Sequence, residues 1–183
     1  MDAPLELTAG HPIETQLYPI GRRTTLLTDP ARDGRQLAVE IWYPAAIDEP
    51  ARTRYELFPG VAFASAGAQH EPPARPGKYP LVVFSHGSTG MRFVAAMLCE
   101  ALAARGAIIV SSDHPGDALV DWLTGAQSEA RANEVDRVAD AHLLLDTMLQ
   151  GRPEVPVDLA NAVDHERIVL AGHSYGAYTA FAT

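Results

Sequence analysis

The stretch Arg167–Ala180, "RIVLAGHSYGAYTA", decides the fold. Ile168 to Leu170 is a short apolar run that reads as a strand buried on both faces. Gly172-His173-Ser174-Tyr175-Gly176 follows it, and small residues suited to a helix, Ala177 and Ala180, come next. The pattern G-x-S-x-G has a mechanical cause. A chain that turns from strand to helix within a few residues holds the serine in a strained backbone conformation and lifts its hydroxyl above the sheet. Side chains two positions to either side would collide, so Gly172 and Gly176 supply hydrogens where a β-carbon would clash. The helix that begins here turns unpaired N–H groups and the positive end of its dipole toward the hydroxyl. Ser174 is therefore a candidate nucleophile. A bare match is weak; the placement between strand and helix separates it from a glycine-flanked turn with an incidental serine.

Working outward, "LVVFS" (Leu81 to Ser85) and "AIIVSS" (Ala107 to Ser112) have the same two-faced apolar character. Met91 to Arg105 is predicted helical, with Val94, Leu98, Ala101, Leu102 and Arg105 on one face and Gly106 to stop it. Ser128 to Gln150 is predicted to form a long helix whose stripe of Val135, Val138, Leu145 and Leu149 faces inward, ended by Gly151 and Pro153. Three strands joined by two helices predict an α/β architecture, a doubly wound, mostly parallel sheet, with residues 81–183 as its βαβαβ unit. Upstream, "RRTTLLTD" and "RQLAVEIWYP" read as antiparallel neighbours joined at Asp33-Gly34, the second with Leu37, Val39 and Ile41 on its better-buried face. Residues 1–20 form a Pro-spaced arm. Residues 44–80 carry seven of the 14 prolines, which predicts a long surface excursion without regular helix or central strand. Its Tyr55, Phe58 and Phe63 are expected either to roof a cleft or to anchor a solvated connector.

A second constellation, "FSHGSTG" (Phe84 to Gly90), closes the Leu81 strand. Acyl transfer requires two donors for the oxyanion of its tetrahedral intermediate. The residue after the nucleophile, Tyr175, supplies one main-chain N–H, and Ser88 is the candidate for the other. Gly87 and Gly90 allow the backbone to approach closely, and His86 reads as a loop-bracing residue rather than a base.

Composition narrows the partners. The net charge is −9 and there is no Lys/Arg run, which argues against nucleic acid and anionic membrane surfaces. No apolar run is long enough to span a membrane, and the amino-terminal residues lack the pattern of a signal peptide, so a cytoplasmic location is the expectation. The single cysteine, Cys99, excludes an intrachain disulfide. No His/Cys/Asp spacing suggests a metal site, and no cofactor is expected.

The order of these pieces resembles an α/β-hydrolase, and more narrowly the dienelactone hydrolases related to platelet-activating-factor acetylhydrolase. The likeness is carried by "IWYP", "VVFSHGSTG", "SSDHPGD", "RVADAHLLLDTML" and "DHERIVLAGHSYGAY". It implies a serine hydrolase that forms an acyl-enzyme on Ser174 from a small-molecule carboxylic ester, with Ser88 and Tyr175 as oxyanion donors and His86, Gly87, Gly172 and Gly176 supporting the site. It also implies that acid and histidine follow the serine on later strands, so that residues 1–183 read as a single incomplete domain truncated after the elbow. Alone, such a portion is expected to be nearly inactive and to self-associate through an open sheet edge. The rival expectations are a non-catalytic binding module and one half of a two-chain assembly; acyl transfer to an alcohol or amine is the alternative within enzymes. Of the seven histidines, His11 and His70 lie in irregular segments, His142 near the inward stripe of its helix, and His165 at the far end of the last strand. His114 is placed two strands from Ser174, roughly 10 Å away at about 4.8 Å per strand, with Asp113 or Asp117 to brace it.

Overall fold

The computed structural model describes residues 17–49 and 51–183. His11 and most of the expected arm lie outside the described residues. The elements run β1 (Ile20–Asp29), β2 (Arg35–Pro44), β3 (Arg54–Phe58), β4 (Val61–Ala64), β5 (Ala68–His70), β6 (Tyr79–Ser85), α1 (Ala96–Ala103), β7 (Ile108–Ser112), α2 (Leu119–Thr124), α3 (Ala130–Gln150), α4 (Val157–Ala162), β8 (Val163–Gly172) and α5 (Tyr175–Ala182).

Six strands form one sheet in the order β5-β1-β2-β7-β6-β8. β1 and β2 pair antiparallel, with Asp29 opposite Arg35, and Asp33 and Gly34 take positive φ in the intervening turn. β2 pairs antiparallel with β7, whereas β6 pairs parallel with both β7 and β8. The sheet is thus mixed and mostly parallel, with helices on it, as the alternation of strand and helix predicts.

Strand alternation sorts the core into two layers. Leu37, Val39 and Ile41 of β2, Leu81 and Val83 of β6, and Ile108 and Val110 of β7 join Leu144 and Met148 of α3 on one face. Trp42, Val82, Phe84 and Ile109 face the other way, toward Ala96, Cys99 and Ala103 of α1. β2 is consequently buried on both sides rather than one.

Four expectations need correction. The Ile168–Leu170 strand, read as buried on both faces, lies at the sheet edge among the described residues, with Ile168 37% and Val169 49% exposed. The excursion after Pro44 is not free of regular structure: β3 and β4 make a separate antiparallel hairpin, and β5 adds to the edge of the main sheet beside β1. Proline excludes central strands, but the stretches between prolines suffice for edge ones. The helix predicted over Met91–Arg105 is regular only in α1, and its apolar stripe faces outward: Val94 and Leu98 are exposed, while Ala96, Cys99, Glu100 and Ala103 are buried. On α3, Val135 is 68% exposed, and the buried face instead carries Asn133, Arg137, Asp140, Ala141, Leu144 and Met148. Leu145 and Leu149 of the predicted α3 stripe do pack against the core, but in both helices the most buried face is displaced from the predicted one, because small or hydrogen-bonded polar residues take it.

Candidate active site

The end of β6, the end of β7 and the β8–α5 turn meet at the carboxyl edge of the parallel strands, where open α/β sheets collect their chemistry. Ser174 sits between β8 and α5 with φ 54° and ψ −121°. For a residue with a β-carbon this is a strained conformation. It is exposed, and the flanking glycines explain how the turn closes. A β-carbon on Gly172 would lie 2.7 Å from the Ala177 nitrogen and closer still to the Gly176 carbonyl. One on Gly176 would run into the main-chain oxygens of Ser85 and His86. The turn is therefore packed directly on the end of β6, and the His173 N–H donates to the Ser85 carbonyl at 3.2 Å.

The loop after β6 lies against the same turn. A β-carbon on Gly87 would stand 3.3 Å from both the Ser174 β-carbon and the His173 carbonyl oxygen. Ser88 follows, exposed, with its hydroxyl donating to Asp117 Oδ1 at 2.7 Å. Tyr175 is the first residue of α5, so its N–H has no carbonyl within the helix to bond. The structure thus gathers Ser174, Tyr175, Gly87 and Ser88 in one place. Gly90 turns the loop back, its N–H donating to the Gly87 carbonyl at 3.0 Å.

Beneath this surface lies a polar layer that the sequence reading largely missed. His86 is fully buried; its Nδ1–H donates to the Gly87 carbonyl at 2.6 Å and its Nε2 accepts the His114 main-chain N–H at 3.2 Å. Burial, and after it the neighbouring His114, pushes the His86 pKa down to about 3. It braces the loop as a neutral ring and has no nitrogen free for Ser174. His114 is also buried and held neutral, by desolvation first. Its Nδ1–H donates to Asp140 Oδ2 at 3.0 Å and its Nε2 accepts from the Ser85 hydroxyl at 2.8 Å. The brace of His114 is therefore Asp140, not Asp113 or Asp117. Asp113 pairs with Arg92 at 2.6 Å, and Asp117 pairs with Arg137 at 2.7 Å. Burial raises the Asp140 carboxyl, but the hydrogen bonds from His114 and Arg35 outweigh it and hold the pKa at about 2. Ser85, His114 and Asp140 form a serine–histidine–aspartate chain that is sealed from solvent, so it serves structure and not an external substrate.

Arg137 and Asp140 carried a signal that was available. They occupy positions i and i+3 of the same α3 face as Ala141, Leu144 and Met148, an ion-bearing stretch of an otherwise apolar stripe. His142 is exposed, with its Nε2 3.2 Å from the Thr183 carbonyl oxygen, and His165 is exposed within β8, which begins at Val163 rather than Arg167. Among the described residues no side chain hydrogen-bonds the Ser174 hydroxyl, and no three metal-ligating side chains cluster. Of the excursion's aromatics, Phe58 lines a small cleft of about 60 Å³ with Leu57, Met91, Phe93, Leu119 and Val120. Tyr55 is buried below it and Phe63 stacks on Tyr55 at 4.9 Å.

Residues 60–141 match the family model of platelet-activating factor acetylhydrolase, isoform II. A ferulic acid esterase from Streptomyces cinnamoneus superposes with a TM-score of 0.65 at 26% identity, over 90% of this chain and 54% of that one. The chain has the α/β-hydrolase fold and is related to that superfamily. A putative phospholipase A2 of Schizosaccharomyces pombe is 32% identical over 115 residues, covering 56% of this α/β-hydrolase-fold chain and 26% of the yeast protein. Brefeldin A esterase, described as a bacterial homologue of human hormone sensitive lipase, shares the hydrolase fold at a TM-score of 0.54 and 19% identity, over 96% of this chain and 37% of that one. The chain spans about a quarter of the length of the yeast relative and about half of the ferulic acid esterase. Among the described residues no helix of this α/β-hydrolase-fold chain is long and apolar enough to cross a membrane.

Proposed function

We propose that this chain carries the nucleophilic half of a serine esterase. Ser174 Oγ attacks the carbonyl carbon of a carboxylic ester. The main-chain N–H groups of Ser88 and Tyr175 hold the resulting oxyanion, the alcohol leaves to give an acyl-enzyme, and water hydrolyses it to the free acid. The observation that carries this reading is the strained Ser174 backbone, φ 54° and ψ −121°, in a turn packed so tightly on β6 that only glycine fits at 172 and 176. A fold supports such strain where it positions a reacting group.

The hydroxyl needs a base to take its proton and return it to the departing alkoxide. His86 and His114 are committed to buried bonds. We place the base and its acid in the portion of the fold that the ferulic acid esterase has and this chain's match to it does not cover; in these folds they follow the serine in chain order. On this reading residues 1–183 alone retain only slight activity, because binding and oxyanion stabilisation without a base leave about 10³- to 10⁴-fold over water.

The test is labelling of the full-length protein with a fluorophosphonate, followed by peptide mass spectrometry. The expected adduct is on Ser174 and is lost in Ser174→Ala. The second reading, a binding module without catalysis, is favoured by the absence of any hydrogen bond to the Ser174 hydroxyl among the described residues. It prevails if the full-length protein takes no label there while hydrolysing no ester.

A further inference from the structure

We propose that Arg137 is a positioning residue of the reaction, a buried clamp that sets the loop bearing Ser88 against the turn bearing Ser174; the inference rests on the esterase reading above. Arg137 lies in the middle of α3, remote in sequence from both segments, and is 1% exposed. Its fork of donors reaches α5, the end of β6 with the residue that follows it, and the Asp117 carboxylate. Nε donates to Thr179 Oγ1 of α5 at 3.0 Å. Nη1 donates to Asp117 Oδ2 at 2.7 Å, and the other oxygen of that carboxylate accepts the Ser88 hydroxyl at 2.7 Å. Nη2 donates to the His86 carbonyl and, at 3.1 Å, to the Ser85 hydroxyl. The guanidinium carbon also stands 4.8 Å from the centre of the Tyr175 ring.

These bonds have a common geometric effect. The oxyanion donors belong to two separate segments, Ser88 to the loop after β6 and Tyr175 to the first turn of α5, and their spacing determines how well they hold a tetrahedral oxygen. Arg137 is bonded to both sides of that gap. It grips the loop through His86 and through Asp117, which also accepts the Thr89 N–H at its carbonyl, 3.2 Å away. It grips α5 through Thr179 and Tyr175. A lysine would keep the charge but lose the planar fork, so it could not bond Thr179, Asp117 and His86 together.

The test uses the full-length protein and its Arg137→Lys, Ser88→Ala and Ser174→Ala variants, with p-nitrophenyl butyrate as substrate and butylboronic acid as a tetrahedral mimic. The expected result for Arg137→Lys is a kcat lower by about 10²-fold with KM within about threefold, matched by a comparable loss of boronate affinity, at a temperature where the variant is folded. A merely structural role would lower activity only in proportion to the folded fraction and leave boronate affinity per folded molecule unchanged; that result overturns the inference. Should Arg137→Lys not fold, Ser88→Ala decides, because its exposed side chain can be removed while its N–H remains. A several-fold drop in kcat at constant KM supports the clamp, and an unchanged kcat overturns it. Failure of the esterase reading is distinguishable, since it appears as hydrolysis and boronate binding that survive in Ser174→Ala.

Discussion

A β-carbon added at Gly176 would meet the carbonyls of Ser85 and His86, which are fixed main-chain atoms and cannot rotate away. The Gly176→Ala variant must therefore separate α5 from the end of β6, and it should cost about 2 kcal/mol in urea unfolding, within the range for overpacked interiors. Fluorophosphonate labelling should fall further than stability does, because the same shift moves Ser174 away from the Gly87 loop; labelling equal to that of the parent would contradict this. A second prediction concerns His86 and His114, which are neutral when folded but take up protons near pH 6.5 when unfolded. Below pH 6.5 the unfolded state binds more protons, so stability falls as pH falls, with His86 alone contributing about 1.4 kcal/mol per pH unit down to its folded pKa of about 3. Asp140, whose folded pKa of about 2 lies below the ordinary 3.8, adds stability above that value and loses it only below pH 4. Between pH 6 and pH 4, His86→Gln should reduce the slope of unfolding free energy against pH by about one proton. An unchanged slope would mean that His86 is not held neutral.

At the scale of elements, α1 shows how a charged residue can belong on a buried face. Glu100 is 3% exposed and accepts the Tyr55 hydroxyl at 2.7 Å, the Ser65 hydroxyl at 2.7 Å and the Gly67 N–H at 2.9 Å. Tyr55 in turn accepts the Trp42 indole N–H at 2.6 Å. One carboxylate thus fastens the β3–β4 hairpin and the strand entry after it to the helix and the sheet. Glu100→Ala would strand several buried donors and is predicted to cost about 3 kcal/mol. Hydrogen exchange should show residues 53–68 opening well before the main sheet; protection equal to the sheet's would contradict the anchoring role. The same element explains what was legible in the sequence. The strands Leu81–Ser85 and Ala107–Ser112 could be read because both of their faces are apolar, and the strand–glycine–serine–glycine–helix order made the Ser174 turn visible. The inner faces of α1 and α3 could not be read by hydrophobicity, since Ala96, Cys99 and Glu100 on one and Arg137 and Asp140 on the other are small or ionic. Their burial depends on partners distant in sequence, such as Tyr55, Ser65, Asp117 and His114, which periodicity does not report.

For the molecule as a whole, the sheet order places β8 beside β6 and, among the described residues, beside no other strand. Its outer edge therefore offers main-chain donors and acceptors along a segment whose Val169 is 49% exposed, and α5 next to it carries Phe181 at 92% exposure. Apolar strand edges of this kind pair with further chain unless a charge or a proline interrupts them. Residues Ile168 to Gly172 contain neither. The net charge of −9 opposes association over long range but is screened beyond about 8 Å in physiological salt, and so does little against contact at the edge itself. The 183-residue chain is accordingly predicted to self-associate, with a sedimentation coefficient that rises with concentration. Val169→Lys should place a charge on that edge and shift the chain toward monomer without loss of cooperative unfolding. A concentration-independent monomer for the parent chain, or assembly indifferent to the lysine, would show that the β8 edge is not the associating surface.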